Sequence, residues 1–274
     1  MSNFEYLQKV TMGQYFPLGS WLHKRDPRMK LVGFSFLILA LTLSMQIKGL
    51  LLGAGFIILL MIVSKTPWRY VLKGVLTPLP FLLILAIIQL FITPHFISSL
   101  PLVKIFGFGL FPEGILAGIR LLVRFCILVI LLTISSATLS TLEIIHGLDL
   151  LLRPIRRLGF QTGNSAMALQ ITMRFIPFLA LNTEKIAKAQ ASRGAEWGVK
   201  RGNLLKRVGQ FFPLIIPLFN NSLRQAETLS DAMLARGYAG NTKRTSMIEY
   251  QISFEDWIFL LLVILISLVI LLIK

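Results

Sequence analysis

The sequence predicts an all-α membrane protein, with about five transmembrane helices and a cytoplasmic block of amphipathic helices placed before the last of them. Three observations predict it. Hydrophobic residues make up 55% of the 274 positions and charged ones only 15%, with a mean hydropathy of +0.75, far from a soluble composition. Several apolar runs approach the roughly twenty residues that a helix needs to cross about 30 Å of hydrocarbon. The 28 Lys and Arg, against 12 Asp and Glu, are concentrated in a few segments between those runs. A net charge of +16 could suggest nucleic acid, but in a membrane chain it first reports which loops face the cytoplasm, and no nucleic-acid partner is expected.

The first span, about 31–47, follows HKRDPRMK, in which Asp26 can cap the helix and Pro27 can occupy its first position. The second, about 49–64, starts at a Lys48-Gly49 turn, and the third, about 74–93, follows KTPWRYVLK. Segment 94–113 contains Pro94, Ser98, Ser99, Pro101 and Pro112 with two glycines, and reads as an irregular loop. The fourth span is about 114–137. The last, about 257–273, carries Trp257 as an interfacial anchor. Residues 1–137 thus form an N-terminal membrane domain of four spans, 138–255 a cytoplasmic domain, and 256–274 the final helix. The opening MSNFEYLQKVTMGQYFPLG is too polar for the apolar core of a secretory signal.

Within 138–255, EIIHGLDLLLRPIRRLG has an apolar stripe too short to span, so it should lie on the membrane or pack on a neighbour. NSAMALQITMRFIPFLALNTEKIAKAQASRG reads as one long helix, apolar first and polar last, and a second of the same kind starts near 211. Pro177 and Pro217 either kink these helices or start them. Residues 166–182 could be counted as a further span, but Gln170 and Arg174 near the middle make that expensive. Outside the fourth span, 23 Lys and Arg fall on one side of this topology and three on the other. The N-terminus, the second loop and 138–255 are therefore expected in the cytoplasm, and the C-terminus outside.

Catalytic chemistry is hard to find. The chain has no G-x4-G-K-[ST] phosphate loop. His23, His95 and His146 lie on separate segments without metal-ligand spacing, and no Asp or Glu stands inside a span to serve a proton or sodium relay. The sole cysteine, Cys126, lies in an apolar run and excludes an intramolecular disulfide. Arg120 and Arg124 share a face of the fourth span. Either they meet an anion within the bilayer, or, the favoured account, they snorkel outward or meet a partner subunit. Glycine pairs at Gly49/Gly53 and Gly114/Gly118 permit close helix packing.

The most informative pattern is repeated. Glu184, Ala189, Arg193 and Gly194 keep the same offsets as Glu227, Ala232, Arg236 and Gly237, a Glu-x4-Ala-x3-Arg-Gly frame 43 residues apart. A C-terminal glycine with a preceding arginine is an ordinary helix ending and explains either one alone. It explains the matched pair less well. Small residues, Ala189, Ala191, Ala232 and Ala235, would let each tip sit close against another surface. The Arg fork could then reach a carboxylate or backbone carbonyls. Two similar tips suggest two similar sockets, such as the two subunits of a dimer.

Together with GQYFPLGSWLHKRDPRMKL, MRFIPF, AQASRGAE and DAMLARGYAG, these tips resemble the transmembrane T component (EcfT) of energy-coupling factor transporters. These are ABC-type importers in which two cytoplasmic ATPases drive a shared membrane scaffold that engages a substrate-binding S component. The resemblance implies a bacterial cytoplasmic-membrane protein that is not an enzyme and holds no cofactor, ATP and Mg being bound by the partner ATPases. It implies that Ala191-Ser192-Arg193-Gly194 and Ala235-Arg236-Gly237 end coupling helices that dock the ATPases, with Ser192 where the usual triplet has Ala. It also places Asp26-Pro27-Arg28 in an N-terminal motif. The apolar faces of 143–157, 166–182 and 211–219 are candidates for touching the S component, and the cargo is a vitamin. The alternatives are a dedicated cobalt or nickel importer of the same type, a lipid or prenyl transferase, and a stand-alone secondary transporter. The transferase lacks clustered Asp or His, and the secondary transporter would show inverted repeats.

Overall fold

The computed structural model describes residues 16, 18–44, 46–92, 103–105, 108–110, 112–154, 162–194, 209, 211–238 and 250–273. The chain divides into two compact units, 13–151 with 250–274, and 1–12 with 152–249.

The first unit is built around α1 (Pro27–Leu43). Its N-cap is Asp26, whose carboxylate accepts the Arg28 amide, with Pro27 at the first position. Phe34, Leu37 and Leu41 form the buried stripe of α1. They join a core with Leu50, Ile57 and Leu60 of α2 (Ile47–Ser64), Ile127, Leu131 and Ile134 of α5 (Pro112–Thr138), and Phe259, Val263 and Ile270 of the last helix. That last helix, α9 (Phe254–Leu272), packs chiefly on α1, so the first and last helices are neighbours. The outward faces are also apolar: Leu51 is 62% exposed, Ile62 72% and Leu261 66%. Large aliphatic side chains facing outward on both the early and the late helices suit a hydrocarbon solvent.

The expected third span is broken. It consists of α3 (Trp68–Leu76) and α4 (Leu79–Ile92), bent by 49°. Pro78 and Pro80 have no amide to donate, so the hydrogen-bond ladder is interrupted there although Thr77 keeps helical angles, and an apolar run of sufficient length does not make one straight helix. Among the described residues, α2, α5 and α9 are long and apolar enough to cross, and the bent pair makes a fourth. The remaining expected span, α1, has 17 residues, at the lower end of the crossing range. The expected irregular loop 94–113 contains a short antiparallel hairpin, β1 (Val103–Ile105) with β2 (Phe108–Leu110), in which Val103 pairs with Leu110 and Ile105 with Phe108.

Glycines set the closest helix contacts. Gly49 and Gly53 of α2 face Ile270 of α9, and Gly114 and Gly118 are both buried. A Cβ on Gly49 would meet Ser44 Oγ at 2.7 Å and the Ile270 carbonyl oxygen at 3.0 Å. A backbone carbonyl cannot rotate away, so Gly49→Val is expected to cost about 1–3 kcal/mol, the usual penalty of overpacking. Gly55→Val serves as the control, because a Cβ there meets nothing within 4 Å. Thermal unfolding in detergent distinguishes the two, and equal midpoints would refute the tight α2–α9 approach. Arg124 of α5 donates from Nη2 to the Ser44 carbonyl at the end of α1, where helix carbonyls lack partners. Arg120 donates from Nε to the Leu116 carbonyl at 3.3 Å. Arg124 therefore closes a helix end within the unit, an outcome neither sequence account contained.

α6 (Thr141–Leu152) follows α5 after the non-helical pair Leu139-Ser140. It opens with a capping box, in which Ser140 Oγ accepts the Glu143 amide at 3.2 Å and Glu143 accepts the Ser140 amide at 3.1 Å. Nearly all of α6 belongs to this first unit, and Gly147 packs on Pro27 and Leu31.

In the second unit, α7 (Thr162–Ser192) runs 31 residues with Pro177 in its interior, and α8 (Phe212–Ala235) packs against it with Pro217 in its interior. The prolines therefore start neither helix. No residue of α8 is buried, and its first half exposes Phe212, Ile215, Ile216 and Phe219.

Candidate functional site

Both Arg-Gly ends leave the helix through a left-handed glycine whose amide closes a carbonyl three residues back. After α8, the Gly237 amide donates to the Leu234 carbonyl at 2.9 Å and the Tyr238 amide to the Met233 carbonyl at 2.9 Å. These are the two bonds of a Schellman ending. After α7, the Gly194 amide donates to the Ala191 carbonyl at 3.1 Å, the equivalent of the first of them. Gly194 has φ +83° and Gly237 φ +76°, left-handed values that favour glycine. An added Cβ would meet nothing within 4 Å at either position, so backbone strain alone sets the cost of substitution. Gly237→Ala is expected to destabilise the end of α8 by about 1–2 kcal/mol and Gly237→Asn by less. Faster amide exchange at 232–238 checks this, and identical exchange in the Ala variant would contradict it.

The side chains at the two tips are less alike than their spacing suggests. Ala191, Ser192, Arg193, Ala235 and Arg236 are all exposed, and neither arginine forms an ion pair with another described residue. Ser192 Oγ turns back to the Ala189 carbonyl at 2.8 Å, and the Arg236 amide donates to the Ala232 carbonyl at 3.2 Å. Glu184, however, is buried and bonded to Lys188 at 2.6 Å, whereas Glu227 is exposed. At about 100° per residue, nine positions carry Glu to the face opposite Arg, while four bring Ala beneath it. The glutamates therefore share no surface with the arginines: Glu184 is held within α7 by Lys188, and Glu227 faces outward.

Arg236 also lines a groove of about 370 Å³ between α7 and α8, together with Arg174, Phe175, Phe178, Leu229 and Met233. Arg193 lies nineteen residues beyond Arg174, roughly 28 Å along a helix rising 1.5 Å per residue. Arg236 thus shares the groove of Arg174, and Arg193 lies at the other end of that α7 stretch.

The N-terminal motif belongs to the other unit and has a different set of partners. Asp26 is buried. Its amide donates to Asp256 Oδ1 at 3.2 Å, and its carboxylate accepts from Arg28 Nε at 3.2 Å and Nη2 at 3.1 Å. Arg28 Nη2 also donates to the Tyr250 carbonyl at 2.9 Å. Arg25 reaches Asp256 at 3.6 Å and pairs with Glu255, which also accepts from Trp21 Nε1 at 3.0 Å. Burial, then the carboxylates of Glu143 and Asp26, raise the Tyr250 phenol above its ordinary value. Sequence reasoning missed Arg25, Lys30, Glu143, Tyr250 and Asp256. The S-x-x-E at 140–143 and S-x-x-D at 253–256 were the available signals, since each forms a capping box.

Helices apolar on their outer faces, together with a helix pair ending in two exposed arginines, define a polytopic membrane protein whose polar chemistry lies at helix ends. A family model described as "Cobalt transport protein" (CbiQ) matches residues 19–247. The chain is 34% identical over 252 residues to the "Energy-coupling factor transporter transmembrane protein EcfT" of Clostridium kluyveri, covering 92% of each. It is 32% identical to the protein of the same description from Macrococcus caseolyticus, covering 98% of this chain and 99% of that one. With its counterpart from Staphylococcus aureus it shares 33% identity over 268 residues. The chain belongs to this family of transporter transmembrane components.

Proposed function

We propose that the chain is the non-catalytic membrane scaffold of an energy-coupling factor importer in the bacterial cytoplasmic membrane. In this reading it passes motion from two cytoplasmic ATPases to a membrane-embedded, substrate-binding S component that imports a vitamin. The single observation that best supports it is the pair of exposed Arg193 and Arg236 tips. Both end in a left-handed glycine, and both are uncommitted to ion pairs among the described residues; Arg236 shares a groove with Arg174, which stands nineteen residues before Arg193, roughly 28 Å along α7. Each arginine presents a planar fork suited to a carboxylate or to carbonyl groups in a socket. Two separated forks suit one socket on each subunit of an ATPase dimer. ATP and Mg would belong to those subunits, and this chain would hold no cofactor.

The distribution of Lys and Arg supports a cytoplasmic N-terminus and 138–255 block, with the C-terminus outside. The exposed apolar residues of α6, α7 and the first half of α8 are suited to meeting the S component or lipid: Leu148, Ile176, Ile215 and Phe219. A second reading, a dedicated cobalt or nickel importer, is favoured by the description of the matching family model. Co-expression with the ATPases followed by pull-down of wild-type and Arg-to-Ala chains tests the docking role. Mass spectrometry of the remaining membrane partner separates the vitamin and metal readings.

A further inference from the structure

The chain passes between the two units at 151/152 and 249/250, apart from a crossing at 12/13 that lies outside the described residues. The crossing at 249/250 adjoins the non-helical corner of residues 250–253 before α9, while the crossing at 151/152 falls at the far end of α6, the helix that the non-helical corner Leu139-Ser140 starts. Such corners are where a hinge bends, because a few unconstrained φ/ψ angles absorb the motion. Here both are tied to a single short segment, residues 25–30.

Lys30, fully buried, donates from Nζ to the Thr138 carbonyl, the His23 carbonyl and Glu143 Oε2, each at 3.3 Å. It therefore spans the α5–α6 corner from one side to the other. Glu143 is also half of the capping box of α6, and Gly147, one turn on, lies against Pro27. The second corner is held by Arg28 through the Tyr250 carbonyl, and by Asp26 and Arg25 through Asp256 at the start of α9. His146 and Tyr250 bring the two corners together, with ring centroids 6.1 Å apart. The segment itself begins α1, whose buried stripe shares the core with α5 and α9.

We infer that Arg25-Asp26-Pro27-Arg28 and Lys30 form a joint that locks both corners, so that displacement of 152–249 is delivered to α1, α5 and α9 instead of being lost in bending. The coupling part of this inference rests on the proposed scaffold role. The lock itself does not.

The test has two arms, each using Lys30→Met and Arg28→Gln. Met keeps the length of Lys, and Glu143 keeps its bond to the Ser140 amide; Arg28→Gln is the milder change should Lys30→Met fail to fold. In the full chain alone, in detergent, amide exchange should rise about tenfold or more at 139–147 in Lys30→Met and at 250–256 in Arg28→Gln, the factor set by losing a charged hydrogen bond. Unchanged exchange overturns the lock. In the second arm, a non-hydrolysable ATP analogue is added to the complex with co-expressed ATPases. Exchange should then change in α5 and α9 of the wild type, but only within 152–249 of the variants. Variants that transmit the change as the wild type does overturn the coupling role and leave a purely structural clamp. ATPases that fail to bind the wild-type chain overturn the scaffold reading, and the first arm alone then decides the joint.

Discussion

Replacing Arg193 and Arg236 together by alanine is expected to abolish co-purification of the ATPase pair while leaving the membrane chain folded. The folding expectation follows from exposure: both side chains are exposed and neither is in an ion pair with a described residue, so truncation removes no described internal charge pair. The binding expectation follows from the proposed docking, which would bury both arginines at an interface, where truncating one partner of a desolvated charge pair costs about 2–5 kcal/mol. In the proposed docking the two tips would bind with avidity, so each single variant should retain partial binding and the double variant should lose far more. Glu227→Gln, on the opposite face of α8 from Arg236, should bind as the wild type does. Undiminished recovery of the ATPases with the double variant would eliminate the docking role. Equal, complete loss in both single variants would instead show one composite site.

The largest expected effect on stability belongs to Asp256→Ala. Its carboxylate accepts the Ser253 amide at 2.8 Å and the Asp26 amide at 3.2 Å, and faces Arg25 at 3.6 Å, all in a buried setting. Removing it opens the N-terminus of α9, unties α9 from the cap of α1 and leaves nearly buried Arg25 with Glu255 as its one carboxylate partner among the described residues, beside Trp21. Breaking a buried pair from one side typically costs about 3–5 kcal/mol. The neighbouring Glu255 carboxylate is 52% exposed, so Glu255→Gln should cost under about 1 kcal/mol. Unfolding midpoints in detergent check the contrast; if the two variants melt together, Asp256 does not anchor α9.

The features that were legible in the sequence are local ones. Asp26 and Pro27 start α1 because a cap and a fixed φ act within one turn. Arg-Gly ends α7 and α8 because a left-handed residue closes the last carbonyls from two or three positions away. The break between α3 and α4 was available in Pro78 and Pro80, but a strongly apolar run outweighed it in the reading. Glu184 and Glu227 show the limit of spacing. Equal offsets put both on the face away from their arginines, yet the surroundings bury only one of them.

The sequence by itself determined a helical membrane chain, the approximate positions of its apolar helices, the sidedness expected of its basic segments and the paired Arg-Gly endings. Each depends on composition or on interactions within a turn or two. Tertiary structure alone decided that α1 and α9 are neighbours, that Arg124 closes the end of α1, and that Asp26, Arg28 and Lys30 reach residues 108 to 230 positions away. The reason is physical: a buried charge must find its partner wherever packing brings one, and no local periodicity records which helix that will be.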